Sequence, residues 1–374
     1  MTELSIPFLD LRPGHDRDVI EVAIKRVLDR GTFILGPEVE AFEAEFAFTS
    51  GTSHAVALNS GTDALTLLLR AAGIGAGDEV LTTALGPAFT AIAIAMTGAR
   101  PVFVDVERDR PTLDPSCIKE AITPRTRAIV PVHLYGQPAA LPAIEAIARS
   151  YRIALVEDCA QAHLATCEGR HVGTFGIGGA FSFYPTKNLG ALGDAGAIVT
   201  NEGAIADRVR LLRNGGQAER NYHVELGVNS RLDELQAAIL RARLARLADW
   251  TAGRRKLSET YFASLDPDVV SLPPRDPGHV YHLFAVRSTQ RDALRAHLLA
   301  LGIGTLVHYP VPVPKQPAFF AFDSSACPNA ERYCREVVSL PLHPNLTEDQ
   351  VHQVCSAVNS FRQTDDYGSQ HVAH

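Results

Sequence analysis

Phe181-Ser-Phe-Tyr-Pro-Thr-Lys-Asn-Leu-Gly-Ala-Leu-Gly-Asp194 is the most informative segment of the chain, because it surrounds one lysine, Lys187, with apolar residues and glycines. Strand-like apolar runs lie on both sides of this lysine, at residues 179–184 and 195–200. The roughly ten residues between the runs are too few for a crossover helix, so the pair should include an antiparallel strand. Lys187 is therefore predicted to lie in a loop at one end of a sheet.

Upstream of this loop, short apolar runs alternate with longer amphipathic stretches. This alternation is typical of an α/β fold with a mostly parallel central sheet that helices cover on both faces. The predicted strands are residues 54–59, 79–83, 101–106, 128–134 and 153–157. The predicted helices begin near Thr62, Pro87, Pro115 and Leu141.

Downstream of the loop, the apolar positions of residues 231–265 predict one long helix that leads into a second domain. A strand at 281–286 and a helix at 292–301 predict that this domain is small and α+β. We expect a large domain at residues 1–249, with an N-terminal strap, and a small domain at residues 250–374. The polar residues 364–374 are expected to form a loose tail.

Composition excludes several classes of protein. Among 374 residues, 46% are hydrophobic and 21% charged, which is typical of a globular protein. The net charge of −7 and the dispersed basic residues argue against nucleic acid binding. The six cysteines show no metal-binding or disulfide spacing, so we expect no metal and a cytoplasmic location. We also expect no membrane segment and no targeting segment.

Lys187 is the first candidate for chemistry. Burial favours the neutral form of an amine, and a neutral amine attacks an aldehyde to form an imine. The alternative is a structural lysine whose ammonium group reaches solvent beyond the loop. Whether Lys187 forms an imine or is a structural lysine has to be judged from the neighbouring segments.

Two segments favour the chemical interpretation of Lys187. The strand at 153–157 leads into Glu157 and Asp158, and one of these carboxylates could keep a pyridine nitrogen protonated. The turn Asn59-Ser-Gly-Thr62 leads from a strand into a helix, whose free N–H groups suit a phosphate. Each segment alone is also compatible with ordinary helix capping.

Taken together and in this order, these segments resemble the DegT/DnrJ/EryC1/StrS family of sugar aminotransferases, which are fold-type I pyridoxal-phosphate (PLP) enzymes. The resemblance covers nearly the whole chain. Its further motifs are Ile6-Pro-Phe-Leu-Asp-Leu11, Phe33-Ile-Leu-Gly-Pro-Glu-Val-Glu-Ala-Phe-Glu43, Pro131-Val-His-Leu-Tyr-Gly-Gln137, Glu157-Asp-Cys-Ala-Gln-Ala-His163, Gly227-Val-Asn-Ser-Arg-Leu-Asp-Glu-Leu-Gln-Ala-Ala238 and His308-Tyr-Pro310.

The resemblance implies a role for each matching residue at the cofactor ring. Lys187 would form the Schiff base with PLP and then move the proton between the substrate carbon and the cofactor. Asp158 would pair with the pyridine nitrogen, and Gln161 would contact the ring hydroxyl. His308 and Tyr309 match a segment near the sugar.

The resemblance also implies how the phosphate is held. Gly61, Thr62 and Ser182 would bind it, together with Asn229 from a second subunit. The active unit would then be a homodimer with shared active sites.

The implied activity is transfer of an amino group, with glutamate as the expected donor, through pyridoxamine phosphate to a keto-sugar on a nucleoside diphosphate. The motifs are most similar to the branch that aminates C3. Alternatives are a keto-cyclitol acceptor and a catalytically idle PLP-fold regulator. A dehydratase branch, in which histidine replaces the lysine, is disfavoured by Lys187.

The chain also departs from the family pattern. Gly86-Pro87 replaces a threonine and the aromatic residue that stacks on the cofactor ring. Phe89 follows two positions later and is expected to be part of the core, because two helical positions differ by about 200°. The other departures are Leu164, Pro314 and Asn214-Gly215-Gly216.

Overall fold

The computed structural model describes residues 4–322 and 326–361. The described helices are α1 (Arg17–Arg30), α2 (Pro37–Thr49), α3 (Gly61–Ala71), α4 (Phe89–Met96), α5 (Pro115–Ala121), α6 (Leu141–Tyr151), α7 (Gly203–Arg213), α8 (Glu234–Leu244), α9 (Leu247–Ser264), α10 (Arg291–Ala300), α11 (Pro328–Glu336) and α12 (Glu348–Asn359). The described strands are β1 (His54–Leu58), β2 (Glu79–Thr83), β3 (Arg100–Val104), β4 (Thr126–Val130), β5 (Ala154–Asp158), β6 (Thr166–Cys167), β7 (Arg170–His171), β8 (Gly178–Ser182), β9 (Gly196–Thr200), β10 (Gln217–Glu219), β11 (Tyr222–His223), β12 (Phe284–Arg287) and β13 (Val337–Leu340).

Seven strands form the central sheet in the order β1-β9-β8-β5-β4-β2-β3. The pairs β2–β3, β2–β4, β4–β5 and β5–β8 are parallel, whereas β9 is antiparallel to both of its neighbours. The predicted α/β class and the predicted antiparallel strand are both confirmed. The carboxyl ends of β5 and β8 therefore meet at one edge of the sheet, where the Lys187 loop begins.

Two apolar layers cover the sheet, because successive strand residues point to opposite faces. In β5, Leu155 packs into the layer that includes α2, α5 and α6, and Val156 packs into the layer formed with α3, α4 and α7. Since both faces of the sheet are buried, the sequences of these strands are continuous apolar runs. The predicted two-sided covering is confirmed.

The predicted long helix at 231–265 is wrong, because it is two helices, α8 and α9. Glu234 starts α8, and its fully buried carboxylate accepts N–H groups at the start of α2. At the other end, the guanidinium of Arg243 bonds to Asp16 and to the carbonyl of Gly190. The N–H of Arg246 then bonds to the carbonyl of Arg243, a tight turn that separates the helices.

A second apolar core lies in the C-terminal part of the chain, between α9, α10, α12 and the two-stranded antiparallel sheet of β12 and β13. Ile6 of the N-terminal segment packs in this core and pairs with Ile303. The domain boundary at residue 249 stays a prediction and lies inside α9. The predicted tail at 364–374 lies outside the described residues. No described helix is long and apolar enough to cross a membrane.

Candidate active site

Lys187 lies in the loop between β8 and β9, as predicted. The backbone N–H of Lys187 donates to the carbonyl of Tyr184 at 2.8 Å, so the loop turns tightly before the lysine. Lys187 is half-buried. Burial lowers the pKa of its amine from 10.5 to about 8, although the nearby charge of Asp158 opposes this shift. A substantial neutral fraction near neutral pH is the property that attack on an aldehyde requires.

Asp158 ends β5 and is held from two sides. Its Oδ1 accepts the N–H of Ala160 at 3.1 Å, and its Oδ2 accepts the hydroxyl of Thr90 at 2.6 Å. The carboxylate is buried, with 7% exposure, and acts on the lysine as its neighbouring charge. Asp158 is thus the strand-end acid that faces the site.

Glu157, the neighbouring acid, has a structural role instead. It is fully buried, and its oxygens accept the N–H groups of Gly173 and Phe175, each at 2.8 Å. His133 accepts the N–H of Ala139 at Nδ1, so its Nε2 bears the proton and donates to Glu157 at 3.1 Å. Glu157 holds the loop after β5 in place.

Cys159 lies beside this pair, so three metal-ligand side chains, His133, Glu157 and Cys159, come within 4.8 Å of one another. Burial raises the pKa of the Cys159 thiol well above 9.0, which disfavours the thiolate that a metal would need. The oxygens of Glu157 already accept N–H groups. These features favour a structural role for the three buried side chains over metal binding.

Gln161 links the two parts of the site. Its Oε1 accepts the N–H of Tyr135 at 2.6 Å, and its Nε2 donates to the hydroxyl of Tyr309 at 3.1 Å. The hydroxyl of Tyr135 donates to the carbonyl of His308. Burial raises the pKa of Tyr309 to about 12, so its hydroxyl stays neutral. The structure therefore brings three of the predicted residues, Gln161, His308 and Tyr309, into one network.

Three histidines lie close enough to Lys187 to be affected by its charge: His163, His282 and His308. Burial, with the lysine charge as a smaller cause, lowers the pKa of His163 to about 3 and of His308 to about 4. The same causes lower the pKa of His282 well below its usual value. All three are neutral at physiological pH, so they add no positive charge to the site.

The turn between β1 and α3 suits an anion. Ser60 caps α3 by accepting the N–H of Asp63, and the first N–H groups of the helix, at Gly61 and Thr62, have no intrahelical partner. A β-carbon at position 61 would lie 2.6 Å from the β-carbon of Ser182, so only glycine allows this approach. The structure thus brings Gly61, Thr62 and Ser182 together.

Asn229 is not joined to the other predicted residues by any hydrogen bond within the described part of the chain. It is exposed, and it pairs with Asn214 in an isolated bridge. The same stretch exposes the apolar side chains of Tyr222, Val224 and Leu226, the last to 88%.

The segment Gly86-Pro87 changes the start of α4. Gly86 has φ +149°, a conformation that residues with a β-carbon rarely adopt. The helix that was predicted to begin near Pro87 begins at Phe89, two residues later. The expectation that Phe89 is part of the core is wrong, because its side chain is 63% exposed. Thr90 is the next residue, and it is buried.

An arginine-rich cavity of about 160 Å³ lies beside the Lys187 loop. Arg12 and Arg243 in its wall are paired with Asp10 and Asp16, both at 2.8 Å. Arg254 donates from Nη1 to three backbone carbonyls, and its Nε has no partner in the described residues. Burial lowers the pKa of Arg254 to about 10, so it remains a cation at neutral pH. The cavity carries positive charge next to the reactive amine.

Sequence reasoning missed three residues of the site: Thr90, Tyr135 and His282. A polar residue in the otherwise apolar helix Phe89–Met96 was the available signal for Thr90. Tyr135 lies within the motif at residues 131–137, where it was given no role of its own. His282 gave no local signal, because its partner Asn188 is distant in sequence.

This fold and site place the chain in the class of fold-type I PLP transferases. A model of the DegT/DnrJ/EryC1/StrS aminotransferase family matches residues 15–359, and the chain belongs to this family. The resemblance found in the motifs is confirmed.

Individual relatives match over almost their full length. The chain is 48% identical over 370 residues to dTDP-3-amino-3,4,6-trideoxy-alpha-D-glucose transaminase of Streptomyces venezuelae, covering 96% of this chain and 97% of the relative. It is 44% identical over 360 residues to dTDP-3-amino-3,6-dideoxy-alpha-D-galactopyranose transaminase of Aneurinibacillus thermoaerophilus, covering 95% and 99%.

Solved structures agree with these matches. The S. venezuelae DesV structure in complex with a ketimine intermediate has a TM-score of 0.92 and 48% identity, and the match covers 96% of this chain and 98% of DesV. NtdA from Bacillus subtilis with bound PMP has a TM-score of 0.89 and 31% identity, and the match covers 94% and 84%.

Proposed function

We propose that this protein is a PLP-dependent aminotransferase that moves an amino group from glutamate to the 3-keto group of a deoxysugar on a nucleoside diphosphate. The observation that carries this proposal is the half-buried Lys187, whose pKa is lowered to about 8 beside the Asp158 carboxylate. A lysine with only a structural role would keep its charge and reach solvent. Family membership supplies the reaction class.

The residues present fit PLP. The N–H groups of Gly61 and Thr62 and the hydroxyl of Ser182 would hold the phosphate, and the close approach of Gly61 to Ser182 gives the group a narrow cradle. Asp158 would accept the ring N–H, and the amide nitrogen of Gln161 would bind the ring hydroxyl. When bound, the cofactor supplies an electron sink that stabilises negative charge on the substrate carbon.

Lys187 would act twice in this reaction. When no substrate is bound, its neutral amine would hold the cofactor covalently through the aldehyde carbon, with loss of water. When substrate is bound, the free amine, with its lowered pKa, would hold or move the proton at the substrate carbon. A base with a pKa of about 8 is well matched to neutral pH.

The acceptor is proposed from the relatives and from the charge of the cavity. Two relatives of 44% identity or more are named for sugars aminated at C3, and a third is named a 3-aminotransferase of UDP-N-acetyl-3-dehydro-alpha-D-glucosamine. The positive charge of Arg254 beside the Lys187 loop suits an acidic substrate, either the diphosphate of the sugar or the carboxylates of glutamate. His308 and Tyr309 would contact the sugar.

A panel of nucleoside-diphosphate keto-sugars tests this proposal. With glutamate as donor and mass detection, 3-keto sugars should gain an amino group much faster than 4-keto sugars or keto-cyclitols. The matched comparison uses one nucleotide throughout, so that only the position of the keto group changes. Faster amination of a 4-keto sugar or of a cyclitol would contradict the proposed acceptor.

A homodimer is part of the proposal. Asn229 is exposed in a stretch that also exposes Tyr222, Val224 and Leu226, and in a dimer this stretch would be covered while Asn229 reached the partner's phosphate site. Dilution should therefore release PLP and separate subunits over the same concentration range. Light scattering and cofactor fluorescence on one dilution series measure both. A monomer that keeps PLP fully bound would contradict this prediction.

A regulatory role is the second candidate, because one relative, 42% identical over 369 residues, is named a pleiotropic regulatory protein of Geobacillus stearothermophilus. A regulator that only binds PLP would show the cofactor band without turnover of any keto-sugar. The same panel therefore distinguishes the two functions.

A further inference from the structure

The hydroxyl of Thr90 bonds outside its own helix. Thr90 is the second residue of α4, so the carbonyl four residues earlier belongs to Gly86, outside the helix, and Thr90 has no equivalent of the bond that Thr66 makes to the carbonyl of Thr62 in α3. Its hydroxyl donates to Oδ2 of Asp158 at 2.6 Å. Both residues are buried, with exposures of 3% and 7%.

The two donors to Asp158 come from different elements. Ala160, just after β5, donates its N–H to Oδ1, and Thr90 in α4 donates its hydroxyl to Oδ2. Rotation of the carboxylate would break both hydrogen bonds, so its plane is fixed before any ligand arrives. Each carboxylate oxygen has a second lone pair, so the group can still accept an N–H from a ligand.

The start of α4 makes this contact possible. With Gly86 at φ +149°, α4 begins at Phe89, so the second position of the helix, Thr90, faces the end of β5. Thr90 is the only polar residue of α4. A single hydroxyl in an apolar helix, aimed at a buried carboxylate, indicates a specific role at that carboxylate.

We propose that Thr90 is a positioning residue that orients the Asp158 carboxylate for the ring nitrogen of the cofactor. This inference rests on the role that the proposed function assigns to Asp158. The hydroxyl holds one of the two carboxylate oxygens, so its loss leaves the carboxylate plane fixed from one side only. The ring nitrogen would then lose a well-oriented partner, and the affinity for PLP would fall.

The test compares Thr90→Val, which keeps the shape and removes the hydroxyl, with Thr90→Ser, which keeps the hydroxyl. The apoprotein is titrated with PLP, and the visible band of the bound cofactor is recorded from pH 6 to pH 10. Thr90→Val should bind PLP about tenfold more weakly and shift the pH at which the band changes, while Thr90→Ser should behave like the wild type. Thr90→Ala replaces Thr90→Val if the latter does not fold.

Thr82→Val is the matched control. Thr82 is a buried threonine of β2 whose hydroxyl bonds only to the carbonyl of Val130, at 2.9 Å, in the described structure. Removal of the Thr82 hydroxyl should lower thermal stability without changing the affinity for PLP or the pH at which the visible band changes. A merely structural role for Thr90 would give the same pattern as Thr82.

Asp158→Asn distinguishes a failure of the role proposed for Thr90 from a failure of the role proposed for Asp158. If Asp158→Asn weakens PLP binding while Thr90→Val binds like the wild type with an unchanged band, the role of Thr90 is overturned and the proposed function stands. If Asp158→Asn also binds PLP like the wild type, the role proposed for Asp158 fails, and that of Thr90 fails with it.

Discussion

Lys187→Ala is expected to lower turnover by at least about a thousandfold, because it removes both the covalent attachment of the cofactor and the group that moves the proton. The variant should still bind PLP through the residues at the phosphate and the ring. Borohydride should attach the cofactor irreversibly to the wild-type protein, and peptide mapping should find the adduct at Lys187.

Lys256→Ala provides the matched control for this variant. Lys256 lies on α9, where its ammonium group forms an exposed ion pair with Glu348 at 2.8 Å. Its removal should leave turnover unchanged. Full turnover of Lys187→Ala, or an adduct at another lysine, would contradict the assignment.

The pH dependence of cofactor binding follows from the same amine. Only the neutral form of Lys187 attacks the aldehyde, and burial lowers its pKa from 10.5 to about 8. The rate at which apoprotein and PLP form the visible band should therefore rise with pH up to about 8 and then level off. A rate that continues to rise between pH 9 and pH 10 would indicate a lysine with an ordinary pKa.

The sheet could be predicted from the sequence because its strands are buried on both faces. Such strands are continuous apolar runs, and the predicted strand at 79–83 has the same bounds as β2. The Lys187 loop was predictable for a related reason, since a short connection between two strands cannot hold a helix. Both inferences depend only on residues that are close in sequence.

The errors occurred where helical periodicity alone does not decide the local structure. The break between α8 and α9 lies beside Arg243, which bonds to Asp16 and to Gly190. The start of α4 depends on the backbone at Gly86, and this decides that Phe89 is exposed and Thr90 buried. Helical periodicity contains no information about either interaction.

A variant of Asp158 should have the second large effect. In Asp158→Asn the side chain keeps its shape but loses the negative charge. The amide oxygen can still accept the N–H of Ala160, and the amide nitrogen can donate to the hydroxyl oxygen of Thr90. The ring nitrogen then has no anion to keep it protonated, and negative charge that forms on the substrate carbon is stabilised less. We expect turnover to fall on the order of a hundredfold, which single-turnover absorbance measurements of each half-reaction would show.

The neighbouring acid gives the control that makes this result specific. Glu157 is also a buried carboxylate at the end of β5, but its oxygens accept N–H groups of Gly173 and Phe175 and the proton of His133. Glu157→Gln replaces one acceptor oxygen by a donor that faces an N–H group, so it should lower the melting temperature. The protein that remains folded should retain most of its turnover at low temperature. Equal loss of turnover in folded Glu157→Gln and Asp158→Asn would mean that charge at this edge of the sheet, and not the position of Asp158, controls the reaction.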